Sequence, residues 1–450
     1  MPKRFFLLLS ALTALLSGCR TLPQELAQPL EVALLPCAPS GDDAGGAGAT
    51  VVTVPAVLDT ADLRPYIAEE RWLPLCLDGR AALGQVTKIV GDTARFYILD
   101  GQLQQVLRFN ADGHCTGLVG HRGDGPTNYS SLTDICYDAP SASLSLLDGE
   151  RGEVIVYDRS RRQTGRSVLP FTGNRLVRVG GGFAVNCPRG DNLEVPAVDG
   201  YRLVLTDSLL RPSRKVLGCS PQEREHLHWS VEQPLRTFGS ASYYTVLLAD
   251  TLWQVTDSLL MPRYALRYER QSALFSAAER AALSDAALVA AVKDKAYFSG
   301  AYVLTPSHAC FGINTPQGTR AVFFDESAQK VIVGPRMPLT ALGPWFVEVC
   351  WPPKAPAPVL HWYKLRTNRP SPNPSRSQSG LLPRVSGPFP QQGRGGEAGE
   401  RLGKDGGSQK GIGRGVNTLP CWGKGSLSER GGGNILLKVV PNCQLLTINC

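Results

Sequence analysis

The sequence predicts an all-β fold of repeated short-stranded units, a β-propeller, and three observations predict it. Two stretches align without a gap: Tyr97 to Gly117 (YILDGQLQQVLRFNADGHCTG) and Ser145 to Gly165 (SLLDGERGEVIVYDRSRRQTG). Leu-Asp-Gly recurs at 99–101 and 147–149, and Asn110 matches Asp158. Three weaker units then keep the phase, ending on Asp207, Asp257 and Asp325. A period of 48 to 50 residues, with alternating or apolar runs broken by Gly, Asp and Asn, fits one four-stranded blade per unit. A β-sandwich with coincidental turn spacing is the plainer alternative, and the ungapped 21-residue match speaks against it.

The interval between the last two landmarks is 68 residues, an excess of about 20 over the period. It has a local cause. Ser276 to Asp294 is Ala-rich, lacks Gly and Pro, and predicts one inserted helix. Ser276 followed by Glu279 forms a capping-box pattern that would satisfy early backbone N–H groups. With five landmarks counted, the phase places a sixth near residue 373. That position falls in Arg369-Pro370-Ser371-Pro372-Asn373-Pro374, where prolines remove ladder donors. Terminal strands of a propeller usually share one blade, and Asp59 to Leu77 could have supplied an outer strand to the sixth, but the expectation is a propeller of the six-bladed type with about five recognisable blades, its sixth missing, and an open ring of reduced stability.

Strand-like alternation stops at about Pro352, which divides the chain into a propeller over 57–350 and a tail over 351–450. Residues 364–450 carry 17 of the 47 glycines and 13 Lys and Arg against 4 acids. Such a segment predicts disorder, either as a natural basic tail or as out-of-frame translation. The net charge of +8 belongs to this tail, since the remainder sums to −1. A nearly neutral folded part excludes a case for nucleic-acid binding.

The N-terminus reads as an address. Lys3 and Arg4 precede an apolar run from Phe5 to Leu16 that is too short to span a bilayer stably. Leu16-Ser17-Gly18-Cys19 is similar to the lipobox of bacterial lipoproteins, which implies a signal peptide over 1–18 and acylation of Cys19. An ordinary secretory signal with an incidental Cys remains the alternative. Residues 19–56 read as a flexible tether. The expected location is the bacterial cell envelope, lipid-anchored, at the outer membrane. Of the twelve Cys, eight lie between Cys37 and Cys350 without zinc-like spacing. Export permits some to pair, whereas Cys136 and Cys310 read as buried thiols in strands.

The stretches Ala94 to Asp100 (ARFYILD), Val106 to Gly113 (VLRFNADG), Val119 to Tyr129 (VGHRGDGPTNY) and Asp250 to Tyr268 (DTLWQVTDSLLMPRYALRY) resemble a family of bacterial six-bladed β-propeller lipoproteins related to NHL-repeat propellers. The resemblance covers roughly residues 58–335. It departs from the family's Gly-Arg-x-Gly loop at His121, which stands before Arg122. The family is mostly uncharacterised, so the resemblance implies fold and location better than activity.

The loop at 119–129 is the candidate binding site. Gly120, Gly123, Gly125 and Pro126 favour tight turns, and His121, Arg122, Asp124 and Tyr129 supply donors and acceptors in a short span. The plainer reading is a loop whose Arg and Tyr lock adjacent blades. His226 and His228 would share one face of a strand, but no third metal ligand lies near them in sequence. No catalytic residue and no metal ligand set is predicted.

The favoured function is a membrane-anchored scaffold for a glycan, peptide or protein ligand. The alternative is a lactonase- or lyase-like propeller enzyme with calcium or another divalent metal in the central channel. In that case carboxylates such as Asp100 and Asp148 would converge on the axis.

Overall fold

Three strands precede the repeats: β1 (Ala33–Leu34), β2 (Thr50–Val54) and β3 (Ile67–Pro74). The first four-stranded blade is β4 (Val86–Gly91), β5 (Arg95–Asp100), β6 (Gln105–Asn110) and β7 (Cys115–Leu118). The second is β8 (Leu132–Asp138), β9 (Ser143–Asp148), β10 (Glu153–Tyr157) and β11 (Gln163–Val168). The third is β12 (Arg175–Val179), β13 (Gly182–Asn186), β14 (Tyr201–Thr206) and β15 (Pro212–Gly218). The fourth is β16 (Leu235–Phe238), β17 (Ala241–Tyr244), β18 (Thr251–Val255) and β19 (Leu260–Tyr268). The fifth is β20 (Tyr297–Leu304), β21 (His308–Thr315), β22 (Gly318–Asp325) and β23 (Lys330–Gly334). The sixth takes β24 (Thr340–Leu342), β25 (Trp345–Cys350) and β26 (Val359–Leu365), and its outer strand is β3. First strands of neighbouring blades adjoin one another, so they line the axis.

This computed structural model describes residues 32–38, 48–77, 79, 82–190, 192–225, 231–270, 275–353, 355 and 357–367. Cys19 and the expected signal peptide over 1–18, His226, His228 and the tail beyond Thr367 lie outside the described residues.

The sixth blade corrects the expectation of an open ring. Its fourth strand comes from the N-terminus, so only three strands are needed after Gly334. β3 pairs antiparallel with β26 from Pro74↔Val359 to Ile67↔Leu365. The third strand of this blade ends at Leu365, a few residues before the expected landmark, and the proline run at 369–374 follows the ring's last strand. The proposed boundary at 350 is likewise too early. Pro352, Pro353 and Pro358 sit in the connection between β25 and β26, where no ladder donor is required.

Aromatic packing holds the sixth blade on both sides. Trp362 is fully buried and meets Phe96 of the first blade edge-on at 5.9 Å. Phe346 meets Phe323 of the fifth blade at 5.3 Å. Leu360, Trp362 and Tyr363 are all buried, and each such side chain stabilises by about 1.5–3 kcal/mol.

The landmark residues are turn clasps. Asn110, Asp158 and Asp207 each follow or end a third strand and accept from the backbone N–H groups two and four residues ahead. The short polar side chain closes the turn locally. In the fourth blade the clasp is Thr256, which accepts from Leu259 N–H at 2.9 Å, so the phase landmark is one residue before Asp257.

The expected tether over 19–56 is not free along its length. β1 adds in parallel to β15, and β2 adds in parallel to β19. Val52 and Val54 are fully buried there, which gives the segment an apolar reason to dock. Further along, Ala61 N–H donates to Val333 of the fifth blade and Cys76 N–H donates to Gly113 of the first. The N-terminal segment thus runs around the outer edges of blades three, four, five, six and one.

The predicted insertion is helical and breaks at Leu283–Ser284 into Ala277–Ala282 and Asp285–Val292. The Ser276–Glu279 capping box is present. Cys136 and Cys310 are buried thiols in strands, as expected. Tyr244 and Trp253 are core residues, whereas Trp72 is 56% exposed and stacks on His361.

Candidate functional site

In each blade the second-to-third hairpin and the crossover into the next blade share one end of the sheet. The 119–131 loop is such a crossover, leading from β7 to β8. Its backbone is closed by Tyr129 N–H donating to His121 carbonyl at 3.0 Å and Gly123 N–H donating to Tyr129 carbonyl at 2.9 Å. Gly120 adopts φ +68°, and a Cβ there would lie 2.5 Å from the Tyr157 hydroxyl, so both conformation and space require glycine.

The second blade grips this loop. Arg151 donates to the Gly123 and Asn128 carbonyls at 2.9 and 2.7 Å, and Arg166 donates to Asn128 carbonyl at 2.9 Å. Asp148 accepts from Ser130 N–H at 2.6 Å and from Ser131, Glu150 and Arg151 N–H at 3.2 Å. Asp100 does the same one blade earlier, accepting from Gly84, Gln85, Gln102 and Leu103 N–H groups. The repeated Leu-Asp-Gly is therefore a clasp between hairpin and crossover. Both carboxylates are fully buried and committed to backbone donors, so neither converges on the axis as a metal ligand.

The four predicted loop residues divide into two pairs. Arg122 and Tyr129 form a bridge, Arg122 Nε donates to Ser130 carbonyl at 3.0 Å, and the Tyr129 ring is buried. Burial pushes the Tyr129 hydroxyl well above its ordinary pKa. These two side chains build the loop. His121 and Asp124 are exposed on it, as is Arg122 itself.

The axis carries charges that sequence reasoning did not single out. Lys88 of β4 donates to Asp134 of β8 at 2.7 Å, with side-chain exposures of 6% and 0%. The other Asp134 oxygen accepts from Leu176 N–H of β12 at 2.9 Å, so one carboxylate joins the first strands of blades one, two and three. Arg236 of β16 donates to the Tyr302 carbonyl of β20 at 3.0 Å and to the Leu339 carbonyl before β24 at 2.6 Å. It joins blades four, five and six. Arg175 of β12 donates to Thr133 and Glu232 carbonyls at 3.1 and 3.0 Å and links the two halves. Burial pulls the Lys88 ammonium down while Asp134 opposes it. Burial likewise lowers Arg236, whose guanidinium stays protonated. A usable signal existed: a charged residue in the interior of an otherwise apolar strand, as Lys88 in VTKIVG and Asp134 in LTDICYD.

Lys88, Asp134, Arg175 and Arg236 lie toward the ends of first strands that the crossovers feed, the same end as the 119–131 loop. The crossover end therefore combines a loop carrying exposed His121 and Asp124 with axis charges that are largely buried and committed to hydrogen bonds between first strands. Among the described residues, no group of three His, Cys, Asp or Glu side chains is placed to hold a metal ion.

A protein-family model described as a 6-bladed beta-propeller, DUF5128, matches residues 48–298. No curated protein matches the sequence. Among solved structures, an exported protein from Bacteroides fragilis aligns with TM-score 0.57 at 14% identity, covering 70% of this chain and all of its own. A DUF4221-family protein from Bacteroides vulgatus aligns with TM-score 0.44 at 8% identity, covering 67% of this chain and 97% of its own. BamB from Moraxella catarrhalis gives TM-score 0.33 at 8% identity, over 60% of this chain and 71% of its own. The match over more than half of the residues, together with the six closed blades, identifies the chain as a member of the DUF5128 family of six-bladed β-propellers.

Proposed function

We propose that this protein is a lipid-anchored β-propeller of the bacterial cell envelope that binds a glycan, peptide or protein ligand on its crossover face. The observation that carries the reading is the loop at 119–131. Its backbone is fixed by Arg122, Arg151, Arg166 and Asp148, while His121 and Asp124 point outward from a rigid support. A loop held this way loses little entropy on binding. The lipobox-like Leu16-Ser17-Gly18-Cys19 supports acylation of Cys19 and a membrane location, and the fold shared with a Bacteroides fragilis exported protein agrees with export.

Two measurements test the reading. Cys19→Ala should move the protein from the membrane fraction to the soluble fraction of cells. A photo-crosslinking amino acid at position 121 or 124 should capture a cell-envelope ligand that the same probe at position 51, on the outer edge of the fourth blade, does not. Membrane retention of Cys19→Ala, or equal capture at all positions, would overturn it.

A further inference from the structure

The direction of β1 sets the side of the third blade from which the chain leaves toward the anchor. β1 pairs in parallel with β15, Ala33 with Arg214 and Leu34 with Lys215. β15 starts at the third-to-fourth hairpin turn Asp207–Arg211 and runs away from it. The chain preceding residue 33 therefore leaves the third blade on the side of that turn. This side is opposite to the crossovers and to the 119–131 loop. Cys19 precedes Val32 by 13 residues, so the anchor lies within about 45 Å of this edge even at full extension.

The turns on that side suit a lipid surface. In the third blade, Leu209 is 61% exposed at the turn tip, and Arg211 is exposed beside it. The matching turn of the second blade presents Arg159 and Arg162; the Arg162 side chain is 82% exposed and lies 3.8 Å from the Asp158 carboxylate of its own turn. Asp158 and Asp207 are the carboxylates in these two turns, and each spends one oxygen on its own turn's N–H groups. Leu34, 62% exposed, lies on β1 along the path to the anchor. Basic residues around protruding leucines attract anionic headgroups and let the apolar tips enter the interface.

Resting on the acylation of Cys19 proposed above, we infer that the third-to-fourth hairpin turns of blades two and three dock on the anionic bilayer surface. The crossover face with His121 and Asp124 then points away from the membrane. Parallel addition of β1 starts the path to the anchor on the side of these turns, whereas antiparallel addition would start it on the crossover side.

The test uses the full-length acylated protein in vesicles of phosphatidylethanolamine and phosphatidylglycerol with brominated acyl chains. A fluorescent noncanonical amino acid replaces either Leu209 or Asp124. Flotation reads anchorage, and bromine quenching reads contact with the bilayer. The expected result is flotation of both, with at least threefold stronger quenching at 209 than at 124. Reversing the charges (Arg159→Glu, Arg162→Glu, Arg211→Glu) should leave flotation intact and weaken the quenching at 209 by at least half. Equal quenching, or stronger quenching at 124, in a protein that floats overturns the orientation alone. Failure of the acylated protein to float overturns the anchor reading, and the orientation falls with it.

Discussion

Asp134 is a single carboxylate on which three first strands converge, and its pairing with Lys88 is almost completely removed from water. Removing one partner of a buried pair leaves the other charge uncompensated, at about 3–5 kcal/mol. Asp134→Ala should lower stability by that amount in urea unfolding. The double change Lys88→Met with Asp134→Leu should recover part of the loss, because the unpaired ammonium is gone. His121→Ala, on an exposed position, should stay within about 0.5 kcal/mol of the parent. Glu348 gives a pH-dependent prediction. Burial raises its pKa above the usual carboxylate range, although the Tyr363 hydroxyl donates to it at 2.9 Å. The folded state prefers the neutral carboxyl, so this group costs stability above pH ~4.3 and ceases to do so below it. Glu348→Gln should therefore raise the melting temperature at pH 7 to 8, with the gain fading as the pH falls to about 4. A gain that is constant with pH would contradict this origin.

At the scale of elements, β26 and β3 decide whether the ring closes. β26 carries Leu360, Trp362 and Tyr363 into two inter-blade cores and supplies the ladder for β3. Trp362→Ala should cost about 3–5 kcal/mol, read by chemical denaturation, since Phe96 and the flanking apolar residues lose a large buried partner. Truncation gives a sharper contrast. A chain ending at Thr367 should melt as the full chain does, whereas one ending at Cys350 should lose its cooperative transition. β2 is a smaller case. Removing it uncovers Tyr264 and Leu266 next to Val52 and Val54, so a chain starting at residue 58 should remain folded and melt lower.

In the whole molecule, the same N-terminal segment closes the sixth blade and runs outside blades three, four and five. Residues from both ends of the chain thus share one sheet, and opening that sheet exposes apolar surface on blades five, six and one together. A fragment spanning 48–367 should therefore unfold in one transition by circular dichroism and fluorescence. Two separated transitions would show that blades unfold independently. Two of the charged axis residues reinforce the same coupling, Asp134 through blades one to three and Arg236 through blades four to six.

The sequence by itself determined the repeat, the all-β propeller, the helical insertion with its Ser276 cap and the turn residues, because strand period, Asx turns and caps are set by neighbours along the chain. It also located the 119–129 loop, but residue types alone left open which of its side chains face outward. Only the tertiary structure buried Tyr129, tied the exposed Arg122 to the Ser130 carbonyl and left His121 and Asp124 on the surface. The sixth blade was hidden for a similar reason. Its fourth strand lies almost 300 residues from its third, and no local pattern in Ile67–Pro74 names Val359–Leu365 as its partner. The axis charges were equally silent, since a lysine in a strand gains its meaning from the carboxylate that another blade brings to 2.7 Å.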